Sequence, residues 1–270
     1  MKSTTSNNTP WRQVKTRRHF PERTSPSPQA KSRVRLTERD LELLRFVGAH
    51  RFVLAEHVHH LIDADRSVTY RLLSRLTDAG LVRYERIFHA QPGVFMITSG
   101  GLAVTGSTLS TPQIDLRLYR HEQHVPALWL AATNGRLGQA VTTLTERELR
   151  HQDQLATNYD PVGIKLSGFD RAGRPRLHHP DVAVIHPGGS LTALELELTM
   201  KSKKRLDEIV LGYLFDSRLR LALYITDQHP VRDALLRMAE QYGASGRVIV
   251  ERICELSTEG ILDCVNRGGA

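Results

Sequence analysis

The sequence predicts an α/β protein with a small helical N-terminal domain and a larger mixed-sheet domain. Three observations support this. Apolar residues recur at helical spacing between residues 36 and 80. Two strand-like runs joined by a Pro-Gly turn follow, and beyond residue 113 strand-like and helical segments alternate. We therefore expect one domain at 36–110 and a second at 113–270.

The segment 1–35 carries the whole excess of positive charge. The chain has 37 Lys and Arg against 29 Asp and Glu, and nine of the basic residues but only one acidic residue, Glu22, lie in this segment. A Ser-, Thr- and Pro-rich segment buries too little apolar surface to fold alone. We expect a disordered basic arm that attracts phosphates regardless of sequence, and a solubilising leader is the alternative.

The helices and strands of the first domain are predicted from residues that begin or end such elements. Thr37 caps the first helix, the second is expected at 54–62, and the third begins after Asp65 or Ser67 and ends at Gly80. The runs "LVRYERIF" and "VFMIT" form a hairpin around "HAQPG", and "SGGLAV" forms a short helix. Three helices and a hairpin in this order make a winged helix-turn-helix. The stretch "SVTYRLLSRLTDAGLVRYER" resembles many bacterial winged-helix DNA-binding domains.

The third helix is the expected DNA-recognition helix. Segment 66–86 holds five arginines against two acids, whereas 36–65 holds three against six. A recognition helix places its N-terminal residues against base edges, and arginine pairs with guanine. The core face is predicted to comprise Val68, Leu72, Leu76 and Leu81. Contacts with double-stranded DNA are predicted for Arg66, Ser67, Thr69, Tyr70, Arg71, Ser74 and Arg75 on the helix and for Arg83 and Arg86 on the hairpin. A protein-interaction module is the alternative.

The second domain is predicted from alternating patterns. The expected elements are a helix at 116–134, strands at 139–148, 181–186 and 191–199, a helix at 203–214, a strand at 220–226, a helix at 230–243 and a last strand at 247–253. The polar, Gly- and Pro-rich segment 158–179 is expected to be a loop over the site.

Three carboxylates are expected to meet at one end of this sheet. In strand 191–199 the leucines alternate with Glu195 and Glu197, which places both glutamates on the opposite face. Asp181 begins the neighbouring strand, and Glu146 or Glu148 would add a fourth acid. Carboxylates at this density suit Mg²⁺, which activates water in phosphodiester hydrolysis. Asp181, Glu195 and Glu197 are the predicted metal ligands, with Mg²⁺ as cofactor if the protein is catalytic.

This carboxylate pattern resembles the PD-(D/E)XK nucleases, through Pro180-Asp181 and Glu195-Leu196-Glu197. The resemblance implies a restriction-endonuclease-like mixed sheet. Asp181 and Glu195 match the first two acidic positions, but Glu197 stands where that family carries a lysine. Lys201 is the nearest replacement, ahead of Lys203 and Lys204. The implied catalytic set is Asp181, Glu195, Glu197 and Lys201.

Taken together, the two domains resemble the replication-relaxation family of actinobacterial plasmids and integrative elements. The matching pieces are the winged helix, "RHEQHVPALWLA" (120–131) and "HPDVAVIHPGG" with "ALELELTMKSKKR". Three functions remain open: a DNA-binding protein of a mobile element that acts in replication, relaxation or transfer control, a Mg²⁺-dependent nicking endonuclease, and a transcriptional regulator with an inactive nuclease-like domain. A homodimer is a further possibility for any of the three.

Several other classes of protein and site do not fit the sequence. No apolar run reaches the roughly 18 residues of a membrane span, and no secretory signal is visible, so a cytoplasmic protein is expected. Cys254 and Cys264 match neither a zinc motif nor a disulfide framework. A solvated helix face is favoured over a metal site for His57, His59 and His60, and a packing or surface role for His121 and His124.

Overall fold

A five-stranded mixed β-sheet with helices on both faces forms the larger part of the structure. The structure is a computed structural model, and it describes residues 35–133, 135, 137–156, 160–253 and 257–268. The predicted basic arm, apart from Arg35, lies outside the described residues. None of the described helices is both long and apolar enough to cross a lipid bilayer.

The helices and strands alternate along most of the chain. The helices are α1 (Glu38–Ala49), α2 (Ala55–Ile62), α3 (Arg66–Asp78), α4 (Ser99–Thr105), α5 (Tyr119–Thr133), α6 (Glu146–Leu155), α7 (Lys203–Phe215), α8 (His229–Gln241) and α9 (Thr258–Gly268). The strands are β1 (Val82–Glu85), β2 (Val94–Ile97), β3 (Thr142–Thr145), β4 (Ile164–Phe169), β5 (Pro175–His178), β6 (Val182–Ile185), β7 (Leu191–Leu196), β8 (Leu219–Thr226) and β9 (Val248–Arg252).

The N-terminal helices and hairpin form where the sequence predicts them. Thr37 and Asp40 make a reciprocal capping box that fixes the start of α1. Gly80 has φ 72° after α3, a left-handed conformation that glycine adopts without strain. Strands β1 and β2 pair antiparallel, and Val53 adds a bridge to Phe95 through two backbone hydrogen bonds of 2.9 and 2.8 Å.

The buried face of α3 is rotated by one residue from the predicted face. Thr69, Leu73 and Leu76 are buried, whereas Val68 and Leu72 are only half-buried. Thr69 was predicted to contact DNA, which requires an exposed side chain, and its burial shows that this prediction is wrong. The Thr69 hydroxyl donates to the Asp65 carbonyl one turn earlier at 3.2 Å, which allows a polar side chain to enter the core without an unsatisfied group.

The central sheet has the order β3-β6-β7-β8-β9. Strands β3, β6 and β7 are antiparallel neighbours, whereas β7, β8 and β9 run parallel. Helices α6, α7 and α8 pack on one face, and helices α5 and α9 pack on the other. Leu194, Leu196 and Leu198 pack with α5 and α9, so their predicted alternation is confirmed, whereas Leu191 at the start of β7 packs on the other face. Glu195 lies on that other face, where it bonds to Tyr213 of α7.

Three segments of the sheet region differ from the predictions. The strand expected at 139–148 stops at Thr145, because Thr145 and Glu148 form a capping box that begins α6. The segment 158–179 is not simply a loop, because β4 and β5 form a hairpin whose turn is held by Asp170 Oδ1, which accepts from the Ala172 and Arg174 amides. Helix α9 was not predicted at all.

Helix α5 contributes to two hydrophobic clusters. Val125 and Leu128 pack against the central sheet, whereas Leu130 is buried in the cluster formed by α1, α2, α3 and the β1–β2 hairpin. Trp129 packs against both clusters. Residues 35–270 form one compact unit, and the predicted domain boundary at 110–113 stays a prediction.

We expect Asp40→Ala to lower the free energy of unfolding by about 2–3 kcal/mol, because it removes both the capping box and the partner of Arg75 from a buried position. Glu38→Ala on the same helix is the matched control, because its ion pair with Arg45 is exposed. That change is expected to cost less than about 0.5 kcal/mol. Urea unfolding measures both variants, and equal losses would contradict a structural role for Asp40.

Candidate functional site

Asp181 connects the central sheet to helix α5. The β6–β7 register pairs Val182 with Leu194, which places Asp181 across from Glu195. Asp181 Oδ2 accepts a hydrogen bond of 2.8 Å from the Leu196 amide and lies 3.1 Å from Nε2 of His121 on α5. One carboxylate oxygen therefore joins β6, β7 and α5.

His121 and Asp181 form an ion pair. Burial lowers the pKa of His121, but the adjacent Asp181 carboxylate outweighs this effect and raises that pKa to about 9. Burial raises the pKa of Asp181, but His121 and the Leu196 amide hold it below its usual value. Both groups are therefore charged at neutral pH. The pKa of His124, one turn further along α5, shifts in the opposite direction, because burial lowers it to about 4.

Glu195 is buried, with 4% of its surface exposed. Its Oε1 accepts from the Tyr213 hydroxyl of α7 and lies 2.5 Å from His178 Nε2 at the end of β5. The His178 and Tyr213 rings meet edge to face. Burial and the Glu195 charge raise the pKa of Tyr213 well above its usual value, so the phenol stays a donor. Glu195 is thus held by two side chains on one oxygen.

Lys201 forms an ion pair with Glu197, which is 3% exposed. Burial lowers the pKa of Lys201, but Glu197 and Glu195 more than compensate and hold it above its usual value. Burial raises the pKa of Glu197, and Lys201 offsets only part of this rise. Asp181 acts on both pKa values, so the four predicted catalytic residues lie close enough to influence one another.

Tyr224 on β8 contributes a buried hydroxyl without a hydrogen-bond partner among the described residues. The register pairs Tyr224 with Glu195, and burial together with the charges of Glu195, Glu197 and Asp181 raises the pKa of the phenol well above its usual value. A buried hydroxyl without a partner is costly unless water or another ligand satisfies it. The hydroxyl therefore lies close to the three carboxylates, where a water molecule would satisfy it.

The predicted fourth acid is not Glu148, because its Oε2 caps α6 through the Thr145 amide and hydroxyl. Glu146 lines a small cleft with Asp181, His121 and Glu122. Glu122 pairs with Arg51 at 2.8 Å. Burial raises the pKa of Glu122, and Arg51 offsets part of that rise. Glu122 is therefore a further acid beside Asp181.

A metal site formed by Asp181, Glu195 and Glu197 stays a prediction. Among the described residues, these three do not bring their oxygens within 4.8 Å of one another as a set of three. Mg²⁺ is usually held through one or two carboxylates, with water completing its shell.

The second predicted site, for DNA, lies on the exposed face of α3 and on the hairpin. Tyr70 is 57% exposed, and the other predicted contact residues except the buried Thr69 are exposed as well. Two of the arginines have internal partners, since Arg75 pairs with buried Asp40 and Arg83 pairs with Glu85. No ion-pair partner among the described residues is present for Arg66, Arg71 and Arg86.

Sequence reasoning missed the residues that surround the carboxylates. These are His121, Glu122, His178, Tyr213 and Tyr224. His121 and Glu122 lie within "RHEQHVPALWLA", and His178 lies three residues before Asp181, so their positions beside recognised motifs were the available signal. The role predicted for His121, packing or surface, is wrong because the ring pairs with Asp181.

No protein-family model, curated protein or solved structure matches this chain.

The charged state of His121 is open to direct measurement. In an NMR titration the His121 imidazole is expected to have its midpoint near pH 9, whereas His124 in the same spectra titrates near pH 4. Asp181→Asn is expected to bring the His121 midpoint below 6.5, because burial remains while the attracting charge is lost. An unchanged midpoint in that variant would show that Asp181 does not charge His121.

The ion pair between His121 and Asp181 should also make the free energy of unfolding depend on pH. The folded-state pKa of His121 is raised above 6.5, so the pair stabilises the fold fully below pH 6.5. This stabilisation is lost as the pH rises through about 9. The difference in unfolding free energy between wild type and Asp181→Asn should therefore shrink over this interval.

Proposed function

We propose that this protein binds double-stranded DNA through a winged helix-turn-helix formed by α1, α2, α3 and the β1–β2 hairpin. Helix α3 is the recognition helix in this proposal, and the hairpin is the wing. The observation that carries the proposal is a pair of arginines on the exposed face of α3, Arg66 and Arg71, which have no ion-pair partner within the described part of the chain. The opposite face of α3 closes the core of the same helices, so the arginines are presented on a fixed support.

The exposed face of α3 has the residue types that read DNA. Arg71 offers a guanidinium for guanine in the major groove, and Ser67 and Ser74 offer hydroxyl groups to bases or phosphates. Arg66 begins the helix, and Arg86 follows β1 beside the wing, which suits contacts with the DNA backbone. Arg75 also forms an ion pair with Asp40, which connects α3 to α1. The net positive charge of residues 1–35 would add sequence-independent attraction.

We expect Arg71→Ala to weaken binding to a DNA sequence selected from a random pool by about 1–3 kcal/mol, roughly 5- to 100-fold. Arg66→Ala is expected to weaken binding to selected and unrelated DNA alike and to reduce the salt dependence. Arg237→Ala, an exposed arginine on α8, is the matched control and should bind as wild type does. Gel-shift titrations at several salt concentrations measure all three. If the double variant Arg66→Ala/Arg71→Ala binds DNA with wild-type affinity, this face of α3 is excluded as the DNA-binding site.

A second function, Mg²⁺-dependent DNA nicking on a PD-(D/E)XK-like frame, is favoured by the position of Lys201. That lysine pairs with Glu197 beside Asp181, although it comes four residues after the position where the resembling nucleases carry it. In this proposal the protonated amine would orient a phosphate and offset negative charge that develops during cleavage. His121 holds Asp181 in the ionised form that a cation requires. The replication-relaxation resemblance is consistent with either function.

In this nuclease proposal, Asp181 and Glu197 would hold Mg²⁺ through their carboxylates. The bound ion would supply an activated water and charge stabilisation. The Tyr224 hydroxyl would donate to water in the same space. Glu195 would keep the cluster in position through Tyr213 and His178.

Nicking is tested with supercoiled plasmid in Mg²⁺, in Mn²⁺ and in EDTA. We expect open circles only with metal, and a rate at least about 100-fold lower for Lys201→Ala. Lys204→Ala on the exposed start of α7 is the matched control and should nick at the wild-type rate. Intact plasmid under all conditions, together with a normal gel shift, would leave DNA binding as the function and exclude the nuclease.

A further inference from the structure

We propose that Glu56 and His60 of α2 and Glu259 of α9 form a binding site for Zn²⁺. The site lies on other elements than the central sheet and uses none of its carboxylates. Among the described residues these three form the set of His, Cys, Asp and Glu ligands whose coordinating atoms all lie within 4.8 Å of one another. The proposal does not depend on the proposed DNA-binding or nuclease function.

Helix geometry brings the first two ligands together. Glu56 and His60 are four residues apart on α2, so their side chains lie on one face of the helix, one turn apart. Glu259 lies in the first turn of α9, after Ser257, whose hydroxyl accepts from the Gly260 amide. Leu262 of α9 packs against the same apolar cluster as Leu61 of α2, which explains why the two helices meet at this point.

The imidazole of His60 has an atom that needs a partner. His60 Nε2 is buried and has no hydrogen-bond partner among the described residues. It faces Glu259 Oε1 at 3.4 Å. In a tetrahedral site with metal–ligand distances of about 2.0–2.1 Å, neighbouring ligand atoms are separated by about 3.3 Å. The separation of 3.4 Å is therefore compatible with two ligands of one ion.

The ligand types favour Zn²⁺ over Mg²⁺. One imidazole and two carboxylates suit a borderline metal ion, whereas Mg²⁺ prefers oxygen ligands and retains its water. Three protein ligands would leave a fourth position for water, since both glutamates are exposed. The sequence-based interpretation of this face as solvated overlooked Glu56, four residues before His60, and the sequence did not show that Glu259 of α9 lies beside them. That interpretation is wrong for His57, which is buried.

A bound ion would join α2 to α9. Helix α2 packs in the N-terminal cluster, and α9 packs on the sheet face that also holds α5. An ion held by both helices is expected to stabilise the folded chain, because the ligands converge only when α2 and α9 are in place.

The test is calorimetric titration of Zn²⁺ into the full chain after treatment with a chelator. We expect one equivalent that binds at least about 10-fold more weakly in His60→Ala and in Glu259→Gln. His229→Ala and Glu240→Ala, which alter exposed residues of α8, are the matched controls and should bind as wild type does. Zn²⁺ should also raise the unfolding midpoint of wild type but not that of His60→Ala.

The outcomes separate this site from the carboxylates of the sheet. If Zn²⁺ still binds to His60→Ala but no longer binds to Glu197→Gln, the ion is bound by the carboxylates of the sheet. That result would overturn the proposal. Equal affinity in wild type and both ligand variants, or absence of binding, would also overturn it. Because Glu259 is exposed, Glu259→Gln should fold as wild type does, so a folding defect in His60→Ala alone leaves the test intact.

Discussion

The withdrawal of three carboxylates from water at one end of the central sheet, two of them buried and Asp181 half-buried, is the constraint on which the surrounding structure depends. An ionised group that leaves water must gain donors or opposite charges, or the fold loses several kcal/mol. Here the donors come from separate elements: His121 from α5, His178 from β5, Tyr213 from α7, and Lys201 from the segment before α7. The positions of these elements around β6 and β7 are therefore tied to the charges they neutralise.

The same constraint explains why the carboxylates differ in behaviour. Asp181 has a charged partner and a backbone amide, and its pKa falls. Glu197 is buried and has two acidic neighbours, and its single cation offsets only part of these effects, so its pKa rises. A cluster with one firmly ionised acid and one acid that protonates more easily is a common basis for acid–base or metal chemistry. A purely structural cluster would need the same donors, which is why the plasmid assay decides the function.

Much of the fold was predictable wherever a single local rule dominated. The alternation of leucine and glutamate in β7 fixed its faces, and the Pro-Gly turn fixed the β1–β2 hairpin. The errors arose where two local rules competed. At Thr145 a strand-like run continued into a capping box, and the helix signal won. On α3 the apolar residues allowed two phases one residue apart, and the phase that buries Thr69 could be recognised only from its bond to Asp65.

The candidate site was predictable only in part, for a reason of distance along the chain. Asp181, Glu195, Glu197 and Lys201 lie within one short segment, so strand periodicity was sufficient to group them. Their partners are remote: His121 precedes Asp181 by 60 residues, and Tyr213 follows Glu195 by 18. Which remote helix supplies a donor depends on packing, which the pattern of one sequence does not encode. The Zn²⁺ proposal has the same origin, since Glu259 lies far from His60 in the sequence.

Helix α5 connects the carboxylate cluster of the central sheet to the core of the N-terminal helices. Its first turns carry His121 and Glu122 beside the carboxylates, and its later turns carry Trp129 and Leu130 in the core below α1–α3. Arg51, from the N-terminal helical region, reaches Glu122 directly. Pro126 lies inside α5 between these two groups of residues and removes one backbone hydrogen bond of the helix. A displacement of the N-terminal helices would therefore reach Asp181 by two routes, the Arg51–Glu122 ion pair and a helix that is interrupted at Pro126.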